Sequence, residues 1–517
     1  MSQSRLLLLG FDAMDVELVR RWATAGYLPT FRRLFESAAW TDFAHPPEHL
    51  AGTPWPSLNT GLGPLRHDFY SVSRFCKESY QMRPGTAAEI KGDPFWKWFA
   101  QSGDRIILAD VPFSIPKPEY GGRQFFGWGQ HDWPWKRESV PRKLLAGLSA
   151  QFGVHPVPYC HNYSTETDSL RRLRSGLLTA IERRTAILKS LITSHDWDLF
   201  YAVYSEPHCA GHLMWHLEDE THPRHSAEQL ATVGPALREI YAAIDRALGE
   251  LIGCAGTSTT CVVFFSEGMG PNYHGTHLFS TFVDRFNHRW EGRHVEVPQR
   301  GRDGGWLDSL WQRSVGRIPG GVRAGVKHRL PMSLRRWITM KRQQNPNWPH
   351  MPAFSLPFDG FSALRINLVG REPRGRIRPG EEYRRYLDAF TAELSQLRNA
   401  QSGEFVLEQA FRTDQEIDPL TLGSGPDLIV WWSKSAPVRT IQSPNVGTIA
   451  GEPKDLRTGE HVMRGMLLVL HPRARRGRQT IPGMTAADLP ATVCGLAGIQ
   501  PGNGLDGTSR CRDLLIQ

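Results

Sequence analysis

Trp197-Asp198-Leu199-Phe200-Tyr201-Ala202-Val203-Tyr204 runs without a break into Ser205-Glu206-Pro207-His208-Cys209-Ala210-Gly211-His212-Leu213-Met214-Trp215-His216. The first half is a short apolar run of the kind that forms a buried strand. The second half turns polar, so its imidazoles stand where a strand gives way to a loop or helix. In α/β folds that carboxyl edge is where sites are built. If the segment is helical, His208, His212 and His216 share one face. Two imidazoles one turn apart can then hold one metal ion. Spacing alone does not decide the matter, because 20 histidines in 517 residues produce such pairs by chance.

Working outward, strands and helices alternate. Leu6–Gly10 reads as the first strand, followed by a helix-like run from Asp15 to about Glu36. Further strands are expected at Arg105–Asp110, Thr260–Phe265, Leu428–Trp432 and Met466–Leu470, and long amphipathic helices at Leu170–Thr193 and Ala227–Leu251. Short apolar runs separated by helices of this length predict an α/β fold. Its mostly parallel central sheet is flanked by helices on both faces and carries insertions. No internal repeat is visible.

Composition narrows the class. Hydrophobic residues make up 40% and charged residues 22%, as in a globular protein. No apolar run approaches the roughly 18 residues that span a bilayer. The opening Leu6-Leu7-Leu8-Leu9-Gly10-Phe11-Asp12 is too short for a signal peptide and reads as a strand. Seven scattered cysteines without a CxxC pair fit reduced thiols in a cytoplasmic protein and offer no thiolate zinc site. The net charge is +9, and residues 300–350 hold eleven Lys and Arg against two Asp. That segment, rich in Gly and Pro, reads as a basic insertion or cap. It divides the chain into 1–299, the first part of the core, and 351–517, the remainder. Its bland reading is a solvated surface; its functional one is a patch for an anionic substrate or partner. No specific nucleic-acid module is visible.

Polar residues fall at the strand ends. Asp12 closes the first strand, and Ser266-Glu267-Gly268-Met269-Gly270 follows Thr260–Phe265. His461 sits in Arg457-Thr458-Gly459-Glu460-His461, just before Met466–Leu470. Thr53 lies in the turn-rich His49-Leu50-Ala51-Gly52-Thr53-Pro54-Trp55-Pro56-Ser57-Leu58-Asn59-Thr60-Gly61. Singly, Asp12 or Thr53 reads as a helix cap and His461 as a loop residue. Together they make an order: Asp, hydroxyl, paired His, acidic Gly-rich turn, late His.

With that order the chain resembles the alkaline phosphatase superfamily, in its type I phosphodiesterase/nucleotide pyrophosphatase-like branch. Further shared signatures are Leu28-Pro29-Thr30-Phe31, Trp55-Pro56-Ser57 leading to Thr60-Gly61, Pro64 and His67, Arg365-Ile366-Asn367-Leu368-Val369-Gly370-Arg371-Glu372-Pro373, Pro426-Asp427-Leu428 and Asp488-Leu489-Pro490-Ala491-Thr492. The resemblance implies two divalent ions, usually zinc, about 4 Å apart, and a hydroxyl nucleophile. It assigns His212 and His461 to one ion, with His208 where the family has Asp, and Asp12 to the other. Glu267 stands for a second carboxylate, with His274 or His277 as possible additional ligands. Counting back from Thr60-Gly61 places the nucleophile at Ala51, so Thr53 takes that role only with a two-residue shift. Ser57 is the weaker choice. The altered ligands point to a remodelled site with one or two ions.

The expected function is metal-dependent hydrolysis or transfer on a phosphate ester, most of all a phosphodiester or phosphoanhydride, by attack of a hydroxyl or of water. The opposing reading is a non-catalytic relative that binds an anionic partner through its basic insertion.

Overall fold

The computed structural model describes residues 5–50, 52–129, 136–157, 159–292, 343–358, 360–453 and 456–516. The basic segment expected at 300–350 therefore lies outside the described residues except for 343–350. Two compact units emerge. One comprises Met1–Val72, Gly85–Asn272 and Asp455–Gln517; the other comprises Ser73–Pro84 and Tyr273–Lys454. No described helix is long and apolar enough to cross a membrane.

The first unit is built on a sheet whose strands run, edge to edge, Gly477–Arg478, Ala39–Ala44, Arg464–Leu470, Thr260–Phe265, Leu6–Phe11, Leu199–Tyr204, Ile106–Ala109, Arg123–Phe126 and Glu138–Val140. The five strands from Thr260–Phe265 to Arg123–Phe126 are mutually parallel. Arg464–Leu470 runs antiparallel to both its neighbours. The first strand is apolar at every position because both faces are covered. Leu7, Leu9 and Phe11 enter one buried cluster with the helices Val16–Thr24, Thr167–Ser194 and Ala236–Ala255. Leu6 and Leu8 point the other way, into a cluster with Pro54–Thr60, Trp96–Gln101 and Asp488–Ala497.

Two expected helices are each split. The run from Asp15 to Glu36 divides into Val16–Thr24 and Pro29–Ser37, because Gly26 takes φ +85° and Pro29 opens a new first turn. Likewise Gly234-Pro235 separates Ala227–Val233 from Ala236–Ala255. The cap of Val16–Thr24 is Asp15, whose side chain accepts from Leu18 N at 2.8 Å, so Asp12 has no capping duty there.

The second unit takes in part of the stretch 351–517 that was expected to form the remainder of the core. Residues 351–454 belong to this unit, which has its own antiparallel sheet of Ala353–Leu356, Ser362–Ile366, Leu428–Trp432 and Leu407–Arg412. Leu428–Trp432 is thus a central strand of a different sheet. A buried apolar run reads the same in either context, which is why the sequence did not separate them. Thr276–Trp290 and Glu381–Leu394 pack through Phe279, Phe282, Phe286, Tyr386 and Phe390 into the core of this unit.

The quoted 365–373 signature has its explanation here. Arg371 bonds Asp427 and Glu372 at 2.8 and 2.9 Å, Arg365 bonds Glu372 at 2.8 Å, and Tyr383 donates to Asp427 at 2.8 Å. The two guanidiniums and two carboxylates of this network are buried. Removing one member of such a network leaves an uncompensated charge in the core. Arg371→Ala is accordingly expected to cost about 3–5 kcal/mol, read by denaturant unfolding and by faster amide exchange confined to the second unit. A loss below about 1 kcal/mol would show that the network contributes no more than a surface ion pair.

Candidate metal centre

Three parallel strands end level. Phe11 is in register with Tyr204 on one side and Phe265 on the other, so Asp12, Ser205 and Ser266 leave the sheet together at its carboxyl edge. Asp12 is anchored there: its backbone N–H donates to Tyr204 O at 2.9 Å. Its Oδ1 accepts from Trp55 Nε1 at 2.8 Å and from Ser266 Oγ at 3.2 Å. Ala13, next in the chain, sits at φ +51° and donates to the same Ser266 hydroxyl at 3.3 Å. A non-glycine residue in that region carries strain of about 1 kcal/mol, held by the surrounding bonds.

From Tyr204 the chain enters the helix Glu206–Glu218, with Pro207 in its first turn. Glu206 is tied down by Arg184 at 2.9 Å, and Arg184 also bonds Asp110 at 2.8 Å. Burial alone would raise the Glu206 carboxyl, but the Arg184 charge holds it at about 2. That buried anchor fixes the helix start, and with it His208 and His212 one turn further on.

The imidazoles of His208, His212 and His461 converge: one donor nitrogen from each lies within 4.8 Å of the others. Nε2 of His208 and Nε2 of His212 are 3.2 Å apart. Two nitrogens bound tetrahedrally to one zinc ion at 2.0–2.1 Å stand about 3.3 Å apart, so the pair has the spacing that a shared ion needs. His461 arrives on the strand Gly459–Val462, which pairs antiparallel with Gly268–Pro271 and places His461 opposite Met269. This approach requires glycine at 459, since a Cβ there would lie 2.3 Å from the Gly211 carbonyl oxygen. His212 Nδ1 donates to Gly459 O at 2.8 Å, which leaves the lone pair on Nε2, the atom facing His208. Burial lowers the His212 pKa, keeping that imidazole neutral and able to donate its lone pair.

The remaining expected residues divide. Glu267 lies with Oε1 3.1 Å from Nδ1 of His461, which brings its carboxylate beside the three imidazoles. His216, on the same helix face, is turned to other work: it pairs with Thr458 Oγ1 at 3.1 Å and Gln229 at 2.9 Å. His274 and His277 belong to the second unit, where His274 Nδ1 accepts from Thr276 N at 3.4 Å and His277 Nε2 bonds Gly451 O at 3.0 Å. Neither joins a metal-capable group among the described residues. Thr53 is fully buried and precedes the helix Pro54–Thr60 without a side-chain cap bond. Its hydroxyl donates to Leu50 O at 2.7 Å and accepts from Leu50 N at 2.8 Å.

A buried relay beside Asp12 was not anticipated. Phe69 N donates to Nδ1 of His67, so the His67 proton sits on Nε2 and points at Ser57 Oγ, 3.2 Å away. The Ser57 hydroxyl then donates to His49 Nε2 at 3.1 Å. His45 Nε2 donates to Ser266 O at 2.6 Å, on the residue whose hydroxyl holds Asp12. Burial pushes His45 down to about 4, His67 to about 3, and His49 well below the usual range, so the relay is neutral. Ser57 and His67 had a sequence signal, both lying in the signature that runs from Trp55-Pro56-Ser57 to His67.

Comparisons agree with this architecture. A family model described as type I phosphodiesterase / nucleotide pyrophosphatase matches residues 6–417. No curated protein matches the chain in sequence. Among solved structures, an inactive form of murine ectonucleotide pyrophosphatase/phosphodiesterase 5 in complex with AMP is similar at 12% identity and a TM-score of 0.51, covering 99% of this chain and 100% of its own. Phosphonoacetate hydrolase from Sinorhizobium meliloti, in complex with phosphonoacetate, is similar at 12% identity and a TM-score of 0.51, with 96% of each chain covered. At that identity these likenesses speak to the fold. The family match covers most of the chain, and the chain therefore belongs to the type I phosphodiesterase/nucleotide pyrophosphatase family of phosphoric ester hydrolases, within the alkaline phosphatase superfamily.

Proposed function

We propose that the chain hydrolyses phosphodiester or phosphoanhydride bonds with the help of a divalent cation, zinc by its ligand type, held by His208, His212 and His461. The observation that carries the reading is the convergence of three imidazole nitrogens within 4.8 Å at the carboxyl edge of the sheet. Neutral imidazole suits zinc better than magnesium or calcium, which favour oxygen. A bound divalent ion supplies charge neutralisation at phosphoryl oxygens.

The chain's own groups divide the remaining tasks. His212 is fixed in one tautomer by the Gly459 carbonyl, and the Glu267 carboxylate lies 3.1 Å from Nδ1 of His461. Asp12 brings a buried carboxylate to the same sheet edge, its direction set by Trp55 and Ser266. Thr53 is the hydroxyl nearest to the position of the family's nucleophile, which falls on Ala51, and to attack it must first release Leu50. A direct attack by water needs no such release. The cytoplasmic setting belongs to the same proposal, supported by seven cysteines without a disulfide.

The assay is a panel of chromogenic phosphodiesters, monoesters, phosphonates and sulfates, run on chelator-stripped protein with single divalent ions restored. Turnover of a phosphodiester that returns with zinc, and that falls at least a hundredfold in His461→Ala, is the expected result. Thr53→Ala in the same assay separates the two attacking groups: abolished turnover assigns the hydroxyl, and near-normal turnover assigns water. A panel with no metal-restored turnover of any phosphate ester overturns the reading.

The backbone approach at Gly459 gives an independent check. Gly459→Ala forces the strand, and His461 with it, away from Gly211 while all three histidines remain in the chain. Affinity for zinc is expected to fall at least tenfold with the far-ultraviolet circular dichroism unchanged, measured by competition against a chromophoric chelator. Unaltered affinity would mean that His461 and His212 do not share an ion.

A further inference from the structure

Beside the three imidazoles stands a second group of donor atoms that shares one member with the first. Cys160, Cys209 and His208 each offer one atom, and these atoms lie within 4.8 Å of one another. Cys209 follows His208 on the helix Glu206–Glu218, while Cys160 opens the single turn Cys160–Asn162. The two thiols are far apart in the chain, so no ligand spacing betrays them in the sequence; the fold brings them together. Both are buried, at 5% and 3% exposure.

Their chemistry differs from that of the neighbouring group. Three neutral imidazoles offer a dication no compensating charge. Two thiolates offer two negative charges, enough to neutralise a divalent ion outright. Sulfur also selects soft or borderline ions over magnesium, calcium and manganese. Two thiolates on one tetrahedral zinc ion at 2.3 Å stand roughly 3.8 Å apart, inside the observed limit. Three protein donors leave a fourth position open, as in zinc sites that take solvent or substrate.

We propose that Cys160, Cys209 and His208 form a thiolate cation site of their own, selective for a thiophilic ion of the zinc class. On loading, each S–H bond breaks as a sulfur–metal bond forms, and each proton leaves to solvent, with no change of oxidation state. Neutral His208 has one ring lone pair, so it serves this ion or the three-imidazole ion, one at a time. The site goes beyond the hydrolytic reading and does not depend on it. A protein that hydrolyses nothing can still hold an ion on these sulfurs, and an active one can lack it.

The test uses the full chain, reduced and stripped of metal, titrated with Co2+ and, separately, loaded with Zn2+. Cobalt is expected to produce the near-ultraviolet sulfur-to-metal charge-transfer band. That band disappears in Cys160→Ser/Cys209→Ser and persists in His461→Ala. The zinc form is expected to show sulfur neighbours at about 2.3 Å by X-ray absorption, a reading on the unaltered protein that needs no variant to fold. A saturated cobalt form without the band, a band that survives in the double serine variant, or zinc with only nitrogen and oxygen neighbours overturns the proposal. These readouts follow the sulfur ligands and need no turnover, so this reading and the hydrolytic one fail separately although His208 is common to both.

Discussion

Where the strand Gly459–Val462 lies against the helix Glu206–Glu218, backbone meets backbone with no room for a side chain. The position of a Cβ on Gly459 is already occupied by the carbonyl oxygen of Gly211. Much of the site follows from that approach. Thr458 N donates to His212 O at 2.7 Å, and the Gly459 carbonyl fixes the tautomer of His212. Two residues later the same strand delivers His461. A strand pushed outward by one methyl group loses the hydrogen bond, the tautomer and the third imidazole together.

Two ways of handling buried polarity coexist in the first unit. Around Arg184, charge is met by charge: Asp110 and Glu206 surround the guanidinium, and the helix start is pinned. Around Asp12, the supports are neutral: an indole, a hydroxyl, and behind them imidazoles that burial keeps uncharged. Neutral donors orient a carboxylate without cancelling its charge.

The sequence made some parts legible for physical reasons. Leu6–Phe11, Leu199–Tyr204 and Thr260–Phe265 are continuous apolar runs because both faces of the sheet are covered, and such runs are readable. His208 and His212 were readable because a helix repeats every 3.6 residues, and His461 because it sits in a family signature. Other features depend on contacts that no local pattern encodes. Leu428–Trp432 has the composition of a core strand but belongs to another sheet. The Thr53 hydroxyl is spent on Leu50, and the pairing of Ser57 with His49 and His67 depends on a turn that bends the chain back on itself. Cys160 meets Cys209 only through tertiary packing.

The sheet of the first unit is sewn from distant parts of the chain, and this has a consequence for its birth. Arg464–Leu470 occupies the slot between Ala39–Ala44 and Thr260–Phe265, both of which are synthesised far earlier. Until it arrives, each of those strands presents an open row of backbone donors and acceptors, the sort of edge that seeks a partner in another molecule. The second unit, whose chain lies almost wholly between Tyr273 and Lys454, can be completed meanwhile. Closure of the sheet and arrival of His461 come from the same segment, so the nascent protein stays unsealed, with the three imidazoles apart, until that segment has left the ribosome. Convergence of the three imidazoles thereby coincides with the disappearance of this sticky edge in the middle of the sheet.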